Sequence, residues 1–228
     1  MAGRQIVVIG LGRFGTRAAR TLYQLGHDVM AIDLDDRKVQ ALTGVVTHAV
    51  KADATDESTL RELGVDNFHY AIVAIGRNTE ASIMVTVLLR DLEIPVIVSR
   101  AQSELHGETL RRIGASKTVF PERDGGSSLA HDLFLPGVER YLELTSSFGI
   151  SRVEVPLKYV GHSLKDSGFS NARDKYGVVI LAIQRRDDVI LNPDEDQKFM
   201  NQDVLLIAGT DDRVVRVIGA QNSENEIK

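Results

Sequence analysis

The stretch QIVVIGLGRFG, Gln5 to Gly15, constrains this chain more than any other part of it. Ile6, Val7, Val8 and Ile9 form a β-branched run, and Gly10, Gly12 and Gly15 follow as G-x-G-x-x-G. A helical pattern then runs from about Gly15 to Leu25, with Ala18, Ala19, Leu22 and Leu25 on one face and Gly26 as its stop. A second apolar run ends in Asp33, 18 residues beyond Gly15. Strand, glycine turn, helix, strand and acidic residue together are the context of a dinucleotide-binding unit.

Each residue type in that unit answers a physical need. Gly10 turns the chain sharply out of the strand. Gly12 leaves room for backbone to approach a pyrophosphate, and Gly15 lets the helix sit close to the sheet. The free N–H groups and dipole of the first helical turn favour an anion there. Asp33 would accept hydrogen bonds from ribose hydroxyls, and its charge disfavours a 2′-phosphate, so NADP is not expected. A purely structural glycine turn is the alternative.

Composition narrows the class further. With 228 residues, the chain fits one large or two small domains, and 43% hydrophobic content suffices for ordinary cores. The formal charge is −5 with no dominant basic stretch, so nucleic acid is not expected as a partner. The absence of cysteine excludes disulfides, cysteine nucleophiles and thiolate metal sites. Met1–Arg4 is too short and polar for a signal sequence, and no apolar run reaches the ~18–20 residues that span a bilayer. The expectation is a cytoplasmic protein without a membrane span of its own. The six histidines, His27, His48, His69, His106, His131 and His162, show no ligand spacing.

Strand signals at Ile6–Ile9, Asp28–Ile32, Thr47–Lys51, Tyr70–Ile75, Val96–Ser99 and Thr118–Phe120 alternate with helix signals. Asp35, Thr55, Asn78 and Ser103 are the expected helix caps. The pattern predicts an α/β fold, a doubly wound, mainly parallel Rossmann-like sheet over residues 1–136. Glu122 to Gly126 reads as a polar turn, Ser127–Phe134 as a helix and Leu135-Pro136-Gly137 as a break. Residues 137–149, with the apolar-periodic Val138–Leu144, read as a linker or crossover segment. A smaller α+β domain is expected over 150–220. It comprises a strand near Val153–Val155, a helix and loop over Ser163–Arg173 and a hairpin of Val178–Gln184 with Asp188–Leu191. A strand at Asp203–Ala208 and a helix at Asp211–Ile218 complete it, and 221–228 is a polar tail. A unit this small is expected to pair with a second copy of itself.

Seven words run in order along nearly the whole chain: IVVIGLGRFG (Ile6–Gly15), the Asp33/Asp35 pair, THAVKADATDESTLRELGV (Thr47–Val65), VAIG (Val73–Gly76), IPVIVSRAQ (Ile94–Gln102), IGASKTVFPERD (Ile113–Asp124) and KYGVVILAI (Lys175–Ile183). On these words the chain resembles the KtrA/TrkA-type RCK (regulator of potassium conductance) proteins, cytosolic regulatory subunits of potassium uptake systems. The resemblance implies a homodimer assembling into an octameric ring beneath an integral membrane potassium-translocating subunit of the KtrB/TrkH kind. The ring would lie at the inner face of the cell membrane. It implies no catalysed reaction: ATP favours the active ring and ADP the inactive one, through differential affinity for the two states.

The resemblance and the fold position also nominate site residues. Arg13, between Leu11-Gly12 and Phe14 in the glycine turn, would by similarity contact the β- and γ-phosphates, within its own chain or across a dimer interface; a solvated loop arginine is the alternative. Leu34 follows Asp33 at the ribose end. Asp53, with Ala54 and Thr55, would lie beside the adenine, although helix capping also accounts for them. Ile75 and Gly76 would pack on the adenosine; core packing alone is the alternative for Ile75. Arg100 would meet phosphate or form a structural ion pair. Two copies of Glu122 would hold Mg²⁺ or Ca²⁺ with the phosphates, hard cations taking carboxylate and phosphate oxygens together; otherwise Glu122 is a charged turn residue. Some relatives bind cyclic di-AMP in the C-terminal domain, where Arg173 and the Asn192-Pro193 loop are the matching positions. The stretch Leu164–Arg173, however, is longer than the resemblance leads one to expect. Two rival functions share the nucleotide unit: an NAD-dependent oxidoreductase and an NAD/NADH redox sensor. The first lacks a Tyr-x-x-x-Lys pair, a cysteine and a His–acid dyad.

Overall fold

The computed structural model describes residues 3–134, 138–145, 147–169 and 176–219. The expected break at Leu135–Gly137, the residues Asn171 and Arg173, and the tail 221–228 lie outside the described residues. The chain packs as two units, Met1–Arg123 and Asp124–Lys228.

The first unit is built on six parallel strands: β1 (Gln5–Ile9), β2 (Asp28–Asp33), β3 (His48–Lys51), β4 (Tyr70–Val73), β5 (Val96–Arg100) and β6 (Lys117–Val119). Their order in the sheet is β3-β2-β1-β4-β5-β6. The chain runs one way from β1 to β3 and then crosses back to β4, so the connections diverge between β1 and β4. Between the strands lie α1 (Arg13–Gln24), α2 (Asp36–Gln40), α3 (Glu57–Glu62), α4 (Thr79–Asp91) and α5 (Glu104–Arg112). The central strands are apolar on both faces. Val7, Ile9, Val73 and Ile97 pack with Val85 and Leu89 of α4, while Val8, Ala31 and Val29 pack with Ala19, Val39 and Leu42. A parallel sheet covered on both sides needs such strands.

The capping expected from sequence holds for α2, α4 and α5. Asp35, Asn78 and Ser103 accept from the backbone N–H of Arg37, Ala81 and His106. It fails for α3, which Asp56 caps through Ser58 N–H instead of Thr55. The Glu122–Gly126 turn is also corrected: a helix, α6, runs from Pro121 to Phe134. Proline is favoured at the first helical position and Glu122 suits the first turn, which together outweigh the two glycines.

The second unit holds an antiparallel sheet of β7 (Val138–Thr145), β8 (Phe148–Glu154), β9 (Val179–Arg185), β10 (Asp188–Leu191) and β11 (Val204–Thr210), ordered β10-β9-β11-β8-β7. The expected linker segment thus contains an edge strand, β7, paired to β8. Val138 and Tyr141 of β7 are buried, while Leu142 and Leu144 stay exposed. Helices α7 (Leu164–Ser167) and α8 (Asp211–Ile218) complete the unit. Its core joins Val153, Ile183, Leu205 and Ile207 to Val214 and Val217 of α8, with Phe169 edge-on to Tyr159 at 5.2 Å. Arg185 grips the buried Asp203 with two bonds of 2.9 and 2.7 Å, and Asp203 also accepts from Met200 N–H. Among the described residues, no helix is long and apolar enough to cross a membrane.

Candidate functional site

Ligands in open α/β sheets bind where the strand connections diverge, outside the carboxyl ends of the strands. Here that place holds a cavity of about 1010 Å³. Its floor is the glycine turn. Gly10 has φ of 95° and donates its N–H to Ile32 C=O at 2.8 Å; a Cβ there would lie 3.0 Å from Ile75 N. Gly15 is equally obligatory, since its Cβ would stand 1.9 Å from the Gly10 carbonyl oxygen. Gly12 is different: a Cβ there meets nothing within 4 Å. Gly12 is the N-cap of α1 and supplies no side-chain cap, so the helix's first N–H groups depend on water or a ligand.

Asp33, at the end of β2, faces the turn. One carboxylate oxygen accepts from Leu11 N–H at 2.6 Å and the other from Asp35 N–H at 2.8 Å. Lys38 of α2 spans both, at 3.1 and 3.2 Å. Burial pushes the Asp33 pKa up, but these backbone donors and the Lys38 ammonium outweigh it and hold the carboxyl below its ordinary value. Asp53, after β3, accepts from Thr55 N–H at 2.9 Å and from Thr55 Oγ1 at 2.6 Å, closing a local turn that keeps both at the cavity wall.

The opposite wall is a packed ion pair. Arg100, at the end of β5, lies directly over Gly76, where a Cβ would fall 1.6 Å from its Nη1. Its Nη2 meets Glu122 Oε1 at 2.5 Å, and Gln102 donates to the Gly76 carbonyl. Arg100 Nε is buried without a hydrogen-bond partner among the described residues. Glu122, in the first turn of α6, remains 65% exposed.

Of the residues nominated from sequence, Gly10, Leu11, Gly12, Arg13, Phe14, Asp33 and Leu34 line this cavity, as do Asp53, Ala54, Thr55, Ile75, Gly76, Arg100 and Glu122. Gly15 does not line it and acts beneath the turn. Arg173 lies outside the described residues. Sequence reasoning missed Arg17 and Arg20 on α1, Lys38 on α2 and Arg77 after β4, all of which line the cavity. The helical spacing of Arg13, Arg17 and Arg20 was the available signal for two of them. Among the described residues the cavity carries six cationic side chains against three carboxylates, on a chain whose formal charge is −5. Arg13, Arg17 and Arg77 make no hydrogen bond or ion pair among the described residues. No group of three or more His, Cys, Asp or Glu side chains arranged to hold a metal occurs among them.

Comparison with known proteins gives the family. Residues 6–121 match the TrkA-N domain and residues 150–219 the TrkA-C domain. The chain is 41% identical to the Ktr system potassium uptake protein A of Bacillus subtilis over 206 residues, covering 90% of this chain and 91% of that protein. It is 38% identical to the Ktr system potassium uptake protein C of the same organism, covering 91% and 92%. The crystal structure of the GsuK RCK domain superposes with a TM-score of 0.63 at 18% identity, covering 98% of this chain and 49% of that one, which supports the fold. The chain therefore belongs to the Ktr/Trk family of potassium uptake proteins, built from a TrkA-N and a TrkA-C domain.

Proposed function

We propose that this protein is a nucleotide-sensing regulatory subunit that gates a membrane potassium-translocating partner, with ATP favouring the active conformation and ADP the inactive one. The observation that carries this reading is the excess positive charge of the cavity at the strand switch point on an otherwise acidic chain. Such a site rewards each added phosphate, which gives ATP an advantage over ADP and over a dinucleotide with a shared pyrophosphate.

In this reading the bare N–H groups after Gly12 and the unpaired Arg13 take the phosphates. Asp33 takes ribose hydroxyls, Asp53 and Thr55 border the base, and Ile75 and Gly76 form its apolar seat. Arg100 takes the terminal phosphate, which competes with Glu122 for the guanidinium. Glu122, released and exposed, is one carboxylate ligand for a hard cation. A single chain supplies too few ligands, so Mg²⁺ or Ca²⁺ would be shared with phosphate oxygens and Glu122 of a second copy. The cation offsets charge between carboxylate and phosphate. None of these roles requires bond making: binding energy that differs between two conformations is sufficient. Assembly as a homodimer and then an octameric ring transmits the change to the pore.

The test is potassium uptake in cells that lack their own systems and express a Ktr-type pore with this chain. Uptake should rise with the chain and fall back with Gly12→Asp, whose carboxylate enters open space facing the phosphate position. Equal uptake with the two forms, or no rise with the wild-type chain, overturns the reading.

A further inference from the structure

We propose that the cavity has a second anion subsite at its ribose edge, formed by Arg17 and Arg20 of α1 and Lys38 of α2, that takes a phosphate carried on the ribose of a bound nucleotide. The inference rests on the nucleotide reading above. Asp33 taken alone predicts the opposite, because an isolated carboxylate repels such a phosphate. The fold changes that sign. Lys38 spans both Asp33 oxygens at 3.1 and 3.2 Å, while Leu11 and Asp35 N–H groups already occupy the same carboxylate. The charge that would repel a ribose phosphate is matched by the ammonium beside it.

Two further cations line the same cavity. Arg20 reaches from α1 to α2 and donates to the Ala41 carbonyl at 3.2 Å, a neutral partner that leaves its charge uncompensated. Arg17 has no partner among the described residues. Other acids nearby do not cancel them: Asp35 caps α2 and pairs with Arg37 at 3.8 Å, and neither Asp35 nor Asp36 lines the cavity.

The placement of these arginines is also costly to the helix, which argues against a merely solvated face. Arg13, Arg17 and Arg20 fall at i, i+4 and i+7 on one side of α1, whose first turn holds no acid. Like charges at i, i+4 repel, and Arg13 in the first turn opposes the helix dipole. An anion bound along that face removes both penalties. Arg13, nearest the glycine turn, serves the 5′ phosphates; Arg17 and Arg20 lie farther along the helix on the wall of the same cavity, where Arg20 reaches the end of α2.

Adenosine 2′,5′-bisphosphate and adenosine 3′,5′-bisphosphate are titrated against AMP, with ATP as a separate probe, into the wild-type chain and into Arg17→Ala/Arg20→Ala. One bisphosphate should bind about tenfold or more tighter than AMP, as a charge-assisted contact requires. The arm that wins identifies the hydroxyl. In the double variant that preference should fall to near unity. The subsite is overturned if neither bisphosphate exceeds AMP in the wild type, a comparison that needs no variant, or if the preference survives in the double variant. If ATP also fails to bind, the nucleotide reading falls with it; if ATP binds and the bisphosphates gain nothing, only the subsite falls.

Discussion

The Arg100–Glu122 pair gives a prediction whose sign depends on magnesium. Arg100 is 18% exposed and Glu122 65%, so the carboxylate side of their contact at 2.5 Å faces solvent. A pair of this kind contributes about 0.2–1 kcal/mol. A terminal phosphate on Arg100 makes a charge-assisted bond of about 1.5–3 kcal/mol. If phosphate displaces Glu122, the net gain is roughly 1–2 kcal/mol, or about 5–30-fold in affinity. Arg100→Gln should therefore weaken ATP by that factor and leave ADP little changed. Glu122→Gln removes the competitor, so in chelator ATP should bind tighter, by up to about fivefold. With Mg²⁺ present, the same variant should lose the tightening that Mg²⁺ gives the wild type. Calorimetric titration of ATP and ADP into wild type and both variants, with Mg²⁺ and with EDTA, reads all of these. Weaker ATP binding by Glu122→Gln in EDTA would refute the competition. An unchanged Mg²⁺ dependence would refute the cation role.

The glycines should separate by function. Gly15→Ala, whose Cβ falls 1.9 Å from a carbonyl oxygen, should destabilise the first unit by roughly 1–3 kcal/mol in urea melts. Gly12→Ala, with open space around its Cβ, should stay within about 1 kcal/mol in the same melts while losing ATP affinity in titrations. Asp33→Asn should weaken ATP and ADP alike by about tenfold or more, since the lost acceptor is charged. The folded Asp33 binds protons less readily than the unfolded one, so its stabilisation is complete above its ordinary pKa of 3.8 and is lost as pH falls through the lower folded value. Denaturation at pH 7 and pH 3 should show a smaller acid loss for Asp33→Asn than for wild type. Asp203→Ala strands the Arg185 guanidinium and the Met200 N–H, and should cost about 3–5 kcal/mol in the second unit, followed by denaturant unfolding.

The parts of this fold that local chemistry dictates were legible in the sequence. The glycine turn, Asp33 and the caps Asp35, Asn78 and Ser103 each depend on residues within a few positions of one another. The strand alternation and the hairpin of β9 and β10 likewise follow from local pattern. What misled was local as well: two adjacent glycines made the start of α6 look like a turn, and a β strand with leucines on its open face made β7 look like a connector. The cation-lined wall was less legible for a different reason. Arg17, Arg20, Lys38 and Arg77 are ordinary surface residues in their own helices and loops, and only packing of α1 against α2 and the crossover to β4 brings them to one cavity. The neutralisation of Asp33 by Lys38 belongs to the same group, because nothing in the sequence marks which of two nearby basic residues, Arg37 or Lys38, will face the carboxylate.

The central claim is that adenine nucleotides occupy the switch-point cavity and that the terminal phosphate is sensed there. Calorimetric titration of the wild-type chain with ATP, ADP and NADH, with and without Mg²⁺, tests it most directly. The account predicts that ATP and ADP both bind and that Mg²⁺ strengthens ATP more than ADP. NADH binding far more tightly than either, with no Mg²⁺ effect on ATP, would contradict it and favour a redox sensor.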